Sequence, residues 1–146
     1  MRYTIVGAGA IGGTLGAYMT RGGEDVVLVD VVEEHVAAMR DRGLTIRAQA
    51  ETFTVPVRAV TPAELSEPLD IVLLAVKAQH TQAAVESLLP VLGPGSTVVS
   101  VQNGLCERII AGMIGSARTV GCFVNFSSDY LEPGLIHYGG PGAFYL

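Results

Sequence analysis

The chain has no tryptophan, a single lysine and two cysteines, and aromatic residues fill only 6% of its 146 positions. Cys106 and Cys122 form no CxxC pair or Cys/His cluster, which excludes a disulfide scaffold and leaves no sequence signature of a metal site. Basic residues are scarce as well: nine Lys+Arg against fourteen Asp+Glu give a net charge of −5, the opposite of a nucleic-acid footprint or a basic membrane surface. No apolar stretch approaches the ~20 residues needed to cross a bilayer, and the purest run is Ile71 to Val76. Met1-Arg2 and the apolar residues after them turn glycine-rich by Gly7, without the ordered regions of a signal peptide. Repeats, low-complexity segments and linkers are absent. The expectation is a reducing, cytoplasmic compartment.

What is there is a hydrophobic, weakly charged chain: 49% hydrophobic, 16% charged, mean hydropathy +0.44. That composition suits one domain built on a sheet covered on both faces, and the length suffices for a core without staples. Tyr3 to Val6 reads as a strand ending in Gly7-Ala8-Gly9. Ile11, Leu15, Tyr18 and Met19 then repeat at helical spacing up to Gly22-Gly23. Val26 to Val29 is a second strand without alternation, and Val32, Val36 and Met39 mark a helix stopped by Gly43. Leu44 to Ala48 and Phe53 to Val57 read as short strands, the second an edge because of Pro56. Pro62 and Pro68 bracket a turn or a single helical turn. Ile71 to Val76, a helix through Val85, Leu88, Leu89 and Leu92 closed by Gly93-Pro94-Gly95, Thr97 to Val101, and a helix through Leu105, Ile109 and Met113 continue the alternation. After Thr119 the pattern is strands only: Val120 to Phe126, Leu135 to Tyr138 and Ala143 to Leu146, separated by Pro133-Gly134 and by the turn residues Gly139 to Gly142. The predicted fold is α/β, a doubly wound, mainly parallel, Rossmann-like sheet with antiparallel strands at its C-terminal edge. In such folds ligands bind beyond the carboxyl ends of the strands.

Four strand ends carry chemistry. Gly7-Ala8-Gly9-Ala10-Ile11-Gly12 fits G-x-G-x-x-G between a strand and a helix, the context in which the pattern signifies a dinucleotide rather than an ordinary turn. Gly7 permits the tight turn, Gly9 a close approach of backbone to a pyrophosphate, and Gly12 close helix packing, while the helix N-terminus offers free N–H groups to the phosphates. Asp30 ends the second strand, 18 residues after Gly12, where an acid accepts from the adenosine ribose hydroxyls of NAD(H). The same carboxylate would repel a 2′-phosphate, and no Arg follows it directly; its plainer reading is a helix N-cap ahead of Glu33 and Glu34. Lys77 and Asn103 end successive parallel strands and should share one crevice, supplying a cation and an amide. Taken singly, Lys77 is a solvated strand-end charge and Asn103-Gly104 a turn dipeptide. His80 and His35 read as helix-surface residues, His137 as a strand residue, Tyr3 and Tyr18 as core or boundary, and both cysteines as packing groups. Gln79 and Gln102 lie within reach of the crevice without any demand on them.

In order along the chain, Gly7-Ala8-Gly9-Ala10-Ile11-Gly12-Gly13, Val76-Lys77-Ala78-x-x-Thr81, Val101-Gln102-Asn103-Gly104 and Pro133-Gly134-x-Ile136-His137-x-Gly139 resemble the successive motifs of ketopantoate reductases (2-dehydropantoate 2-reductases). The resemblance covers nearly all of the chain. It implies a reductase passing hydride from a nicotinamide to the ketone of a 2-oxo acid, ketopantoate to pantoate. It also implies that Lys77 and Asn103 contact both cofactor and substrate, and that the small residues around Ser127 line the same region. The cofactor-binding set is then Gly7, Ala8, Gly9, Ala10, Ile11, Gly12, Asp30, Lys77, Asn103 and Ser127. The family uses NADPH by preference, often with a basic residue near the position of Asp30, whereas Asp30 itself favours NADH. The resemblance further implies that the general-acid lysine and most contacts to the substrate carboxylate belong to a second, helical domain. Residues 1–146 are expected to be the dinucleotide-binding domain alone, catalytically incomplete without that second domain or a partner chain, with a small 2-oxo acid as substrate and no nucleic acid, membrane or metal. Two other readings use the same glycine loop: a non-catalytic dinucleotide sensor, and another 2-oxo-acid or sugar-phosphate dehydrogenase sharing this first domain.

Overall fold

A computed structural model describes residues 1–146. The chain runs β1 (Tyr3–Val6), α1 (Ala10–Arg21), β2 (Val26–Val29), α2 (Glu33–Arg42), β3 (Leu44–Ala48), β4 (Thr52–Val55), β5 (Arg58–Val60), β6 (Leu69–Leu74), α3 (Thr81–Leu88), β7 (Leu92–Ser100), α4 (Cys106–Ile114), β8 (Thr119–Gly121), β9 (Phe123–Asn125), β10 (Ser128–Glu132), β11 (Leu135–Tyr138) and β12 (Ala143–Tyr145). Six strands form one sheet in the order β5-β2-β1-β6-β7-β8, every pair parallel. From β1 the chain winds outward first through β2 and then, after returning, through β6. The strand order therefore reverses between β2 and β6, and the crevice of a doubly wound sheet opens there, at the carboxyl end of β1.

Alternation within otherwise continuous apolar strands builds two cores. Ile5, Val26, Leu28, Leu73 and Val99 face one side with Ala17, Val36 and Met39 from α1 and α2. Val6, Val27, Val29, Val72, Leu74 and Val98 face the other, against Val85 and Leu88 of α3 and Ile110 and Ile114 of α4. Burial on both faces accounts for runs such as Val26 to Val29 that are apolar at every position.

The antiparallel strands expected toward the C-terminus are present, in two smaller sheets. β10 and β11 pair antiparallel, and β11 pairs parallel with β3, which carries β4 on its other edge. β4 is an edge strand, as read from the sequence, but it ends at Val55, so Pro56 lies just after it rather than within it. β9 and β12 form a separate two-stranded ribbon. Three local features differ from the sequence reading. β5 and β10 carry no clear sequence signal, and the Val120 to Phe126 run is interrupted at Cys122. Gly93-Pro94-Gly95 lies within β7 rather than before it, where pairing with β6 jumps from Leu69–Leu92 to Ile71–Thr97. The Ser96 hydroxyl fills that bulge, donating to the Leu69 carbonyl and accepting the Gly93 N–H at 2.8 Å.

Candidate dinucleotide site

The glycine loop leaves β1 at Gly7, whose φ of +94° is left-handed and whose missing Cβ would meet the Val76 backbone nitrogen at 2.8 Å. A side chain is excluded there on both counts. A Cβ on Gly12 would overlap the Gly7 carbonyl, so α1 starts hard against the loop only because that position is bare. A Cβ on Gly9 would meet nothing within 4 Å: this glycine faces open space. Gly9 is also the N-cap of α1, with no capping side chain and no acid in the first turn. The first N–H groups of α1 are thus left for an anion, and nothing negative in the chain occupies their place.

Asp30 ties this loop to the next strand. One carboxylate oxygen accepts from the Ala8 N–H at 2.9 Å and the other from the Val32 N–H at 2.9 Å. It is not the N-cap of α2; that position is Val32, which makes no side-chain cap. With two oxygens and about four lone-pair directions, the carboxylate retains acceptor capacity after both bonds. The arginines that next follow it in sequence are committed elsewhere. Arg40 donates to the Ala59 carbonyl at 2.7 Å and to both oxygens of Glu64 at 2.7 and 2.8 Å, and Arg42 reaches the Pro133 carbonyl at 3.4 Å.

Two cavities flank the loop. One, about 380 Å³, is walled by Gly7, Asp30, Val31, Pro62, Val76 and Ala83, with the exposed His80 at its margin. The other, about 290 Å³, is walled by Ile11, Val76, Lys77, Asn103, Val124 and Phe126 among others. Val76 lines both, so the two cavities adjoin on either side of the chain just after β6, one holding Asp30 and the other Lys77 and Asn103. Lys77 is exposed, in extended conformation ahead of a single 3₁₀ turn, and makes no ion pair within the chain. Asn103 is exposed beside it. Ser127 is exposed and is not part of the crevice wall. Its neighbour Ser128 makes the contact to α1, its hydroxyl 2.8 Å from Thr14 Oγ1 and 3.0 Å from the Ala10 carbonyl.

Gln102 is the crevice residue with no sequence signal beyond its position. It is buried; its amide donates to the Val76 carbonyl and to Thr81 Oγ1, both at 2.8 Å, and its carbonyl accepts from Ser100 Oγ at 3.1 Å. That side chain fixes the span between the residue before Lys77 and the residue before Asn103. His35 departs from the sequence reading. Instead of lying on a helix surface it is 1% exposed, with both ring nitrogens bonded to backbone. Cys106 and Cys122 are buried packing groups as expected, and burial pushes the Cys122 thiol up.

Comparison with known proteins agrees with this geometry. The family profile described as ketopantoate reductase PanE/ApbA matches residues 3–146. The chain belongs to this family. The 2-dehydropantoate 2-reductase of Mesorhizobium japonicum is 37% identical over 94% of the chain, and that of Pyrococcus abyssi 35% identical over 97%. The match takes in 49% and 46% of those two proteins, so the chain spans about half the length of these relatives. The crystal structure of 2-dehydropantoate 2-reductase from Geobacter metallireducens superimposes on 99% of the chain with a TM-score of 0.90 at 33% identity, again over 48% of that protein. D-mandelate dehydrogenase, solved with NADH and anilino(oxo)acetate, shares the fold at TM-score 0.89 and 23% identity. The fold is that of the ketopantoate reductases on which it superimposes. No helix is long and apolar enough to cross a membrane.

Proposed function

We propose that this chain is the dinucleotide-binding domain of an NAD(P)H-dependent reductase that acts on a small 2-oxo acid, ketopantoate being the substrate the family points to. The single observation carrying this reading is the pair of adjoining cavities beside the glycine loop, one lined by Gly7 and Asp30 and the other by Lys77 and Asn103. When bound, the nicotinamide supplies the hydride. The chain's own residues bind and orient: the start of α1 and the Gly9 N–H hold the pyrophosphate, Asp30 accepts from the adenosine ribose, and Lys77 and Asn103 hold the polar groups of nicotinamide and 2-oxo acid. A cation and a neutral amide on one side of the reacting carbonyl fix its orientation and oppose negative charge growing on its oxygen.

Asp30 favours NADH, against the NADPH preference that the family resemblance implies. Its carboxylate is fixed by two backbone N–H groups, and the arginines that could neutralise a 2′-phosphate are tied to Glu64 and to carbonyls. Ketone reduction also requires a proton donor at the carbonyl oxygen. Lys77, the only lysine, is given a positioning role, and it is the family resemblance that assigns the general acid and the main contacts to the substrate carboxylate to a helical second domain. Fluorescence titration should show the chain binding NADH, and ketopantoate reduction by the chain alone should be negligible. Rapid turnover by this chain would sink the assignment of the acid elsewhere. A dinucleotide sensor has no use for Lys77 and Asn103, and unchanged NADH affinity in the Lys77→Ala, Asn103→Ala double variant would favour it over a reductase.

A further inference from the structure

His35 sits on α2, twenty-seven residues from the glycine loop, yet its ring lies beneath that loop. Nε2 is 2.7 Å from the Ala8 carbonyl oxygen, and the Gly134 N–H, in the turn between β10 and β11, reaches Nδ1 at 3.0 Å. These partners fix the tautomer. A backbone N–H only donates, so Nδ1 accepts; a carbonyl only accepts, so Nε2 carries the proton and the ring is neutral. The Tyr130 ring closes over it edge to face, with centroids 5.0 Å apart.

The Ala8 peptides are therefore held from both sides by the segment following β2: Asp30 takes the Ala8 N–H and His35 takes the Ala8 carbonyl. In a planar trans peptide the C=O and N–H point in opposite directions. A carbonyl turned inward onto His35 directs the N–H of the same peptide, that of Gly9, outward. That N–H has no acceptor within the chain, and it belongs to the glycine whose Cβ position is open space. A free Ala8 carbonyl could instead rotate toward the crevice and present its negative end to an incoming phosphate.

We infer that His35 is a positioning residue for the phosphate loop: through the Ala8 carbonyl it sets the Ala8–Gly9 peptide so that the Gly9 N–H faces the anion, and through Gly134 it anchors that setting to the second sheet. The phosphate half of this inference rests on the dinucleotide reading above; the peptide orientation does not. Two substitutions separate the ring's contacts. Gln places its amide nitrogen near the position of Nε2, keeping a donor for Ala8, and Asn places its oxygen near the position of Nδ1, keeping an acceptor for Gly134.

The test compares NADH dissociation constants, thermal unfolding and the ¹⁵N–¹H shift and hydrogen exchange of the Gly9 amide for the wild-type chain, His35→Gln and His35→Asn. Both variants lose melting temperature, since each leaves one buried backbone group unpaired. The expected split is that His35→Asn shifts the Gly9 amide and weakens NADH roughly five- to tenfold, the scale of one lost hydrogen bond, while His35→Gln leaves both near wild type. Equal weakening by the two variants, or a Gly9 amide unmoved in His35→Asn, would overturn the inference and leave His35 a packing residue. If the wild-type chain binds no nucleotide, the dinucleotide reading fails, and the Gly9 amide in the nucleotide-free variants still decides whether His35 sets the peptide.

Discussion

Replacing Asp30 by asparagine tests the nucleotide assignment most directly, because the side chain meets the loop, the next helix and the expected ribose at once. Each carboxylate oxygen accepts one backbone N–H at 2.9 Å, from Ala8 and from Val32. An amide has one oxygen, so its NH₂ must face one of those donors, and the unpaired N–H costs about 1–3 kcal/mol of stability. Loss of the charged acceptor for a ribose hydroxyl weakens NADH by a further ~1.5–3 kcal/mol, roughly ten- to a hundredfold. NADPH responds the other way at the ribose. Two like charges about 4 Å apart repel by ~1–4 kcal/mol at effective dielectric constants between 80 and 20, and the substitution removes that repulsion. Loosening of the loop affects both nucleotides equally and cancels in the ratio of their dissociation constants, which makes the ratio the quantity to measure. Paired fluorescence titrations with NADH and NADPH, at low and high salt, should show a wild-type preference for NADH. Asp30→Asn should reduce that preference by about a hundredfold or more, and the wild-type discrimination should shrink as salt screens the charges. Tighter binding of NADPH than NADH by the wild-type chain, or a ratio indifferent to the substitution, would refute the reasoning.

Gln102→Glu places a carboxylate oxygen where an amide now donates to the Val76 carbonyl and Thr81; urea unfolding should show a loss of about 1–3 kcal/mol with an unchanged m value, and a stability equal to wild type would show that this cross-link contributes nothing. Glu64 is held well below its ordinary value of 4.5, at about 2, by the Thr61 backbone N–H, the Arg40 guanidinium and the Thr61 hydroxyl, in that order. A depressed folded-state value means that its contribution is complete above the unfolded value and is lost as pH falls from about 4.5 toward 2. Thermal melts across that window should therefore fall more steeply for the wild-type chain than for Glu64→Gln, and parallel curves would count against the ion pair and cap.

The parts of the site that the sequence exposes are those fixed by backbone demands at one place in the chain. Gly7 must be glycine for its φ and its contact with Val76, Gly12 for the overlap with its own loop, and both lie in one short window after a β-prone run. Lys77 and Asn103 were also legible, because two successive parallel strands with helical crossovers bring their carboxyl ends to the same edge, whatever the details of packing. Asp30 was half legible: its place at the end of β2 is a matter of counting and its bond to Val32 is local, but its bond to Ala8 requires the relative height of two neighbouring strands. Ser127 was brought forward by resemblance alone, and the contact to α1 belongs to Ser128.

His35 and the second sheet were beyond the reach of sequence patterns for a single physical reason. A histidine beside two glutamates on a short helix has the local signature of a solvated face, and nothing nearby in the chain announces a cover. The cover comes from about a hundred residues away, when β11 pairs with β3 and sets the Gly134 turn and Tyr130 over α2. Periodicity states that a strand has an apolar face but not which partner will bury it, so the strongly apolar strands, the glycine loop and the order of strand ends were written in the chain, while β5 and β10 were not. The choice of partner, and with it the burial that turns His35 from a surface residue into a clamp on the loop, was made only when the long-range contacts formed.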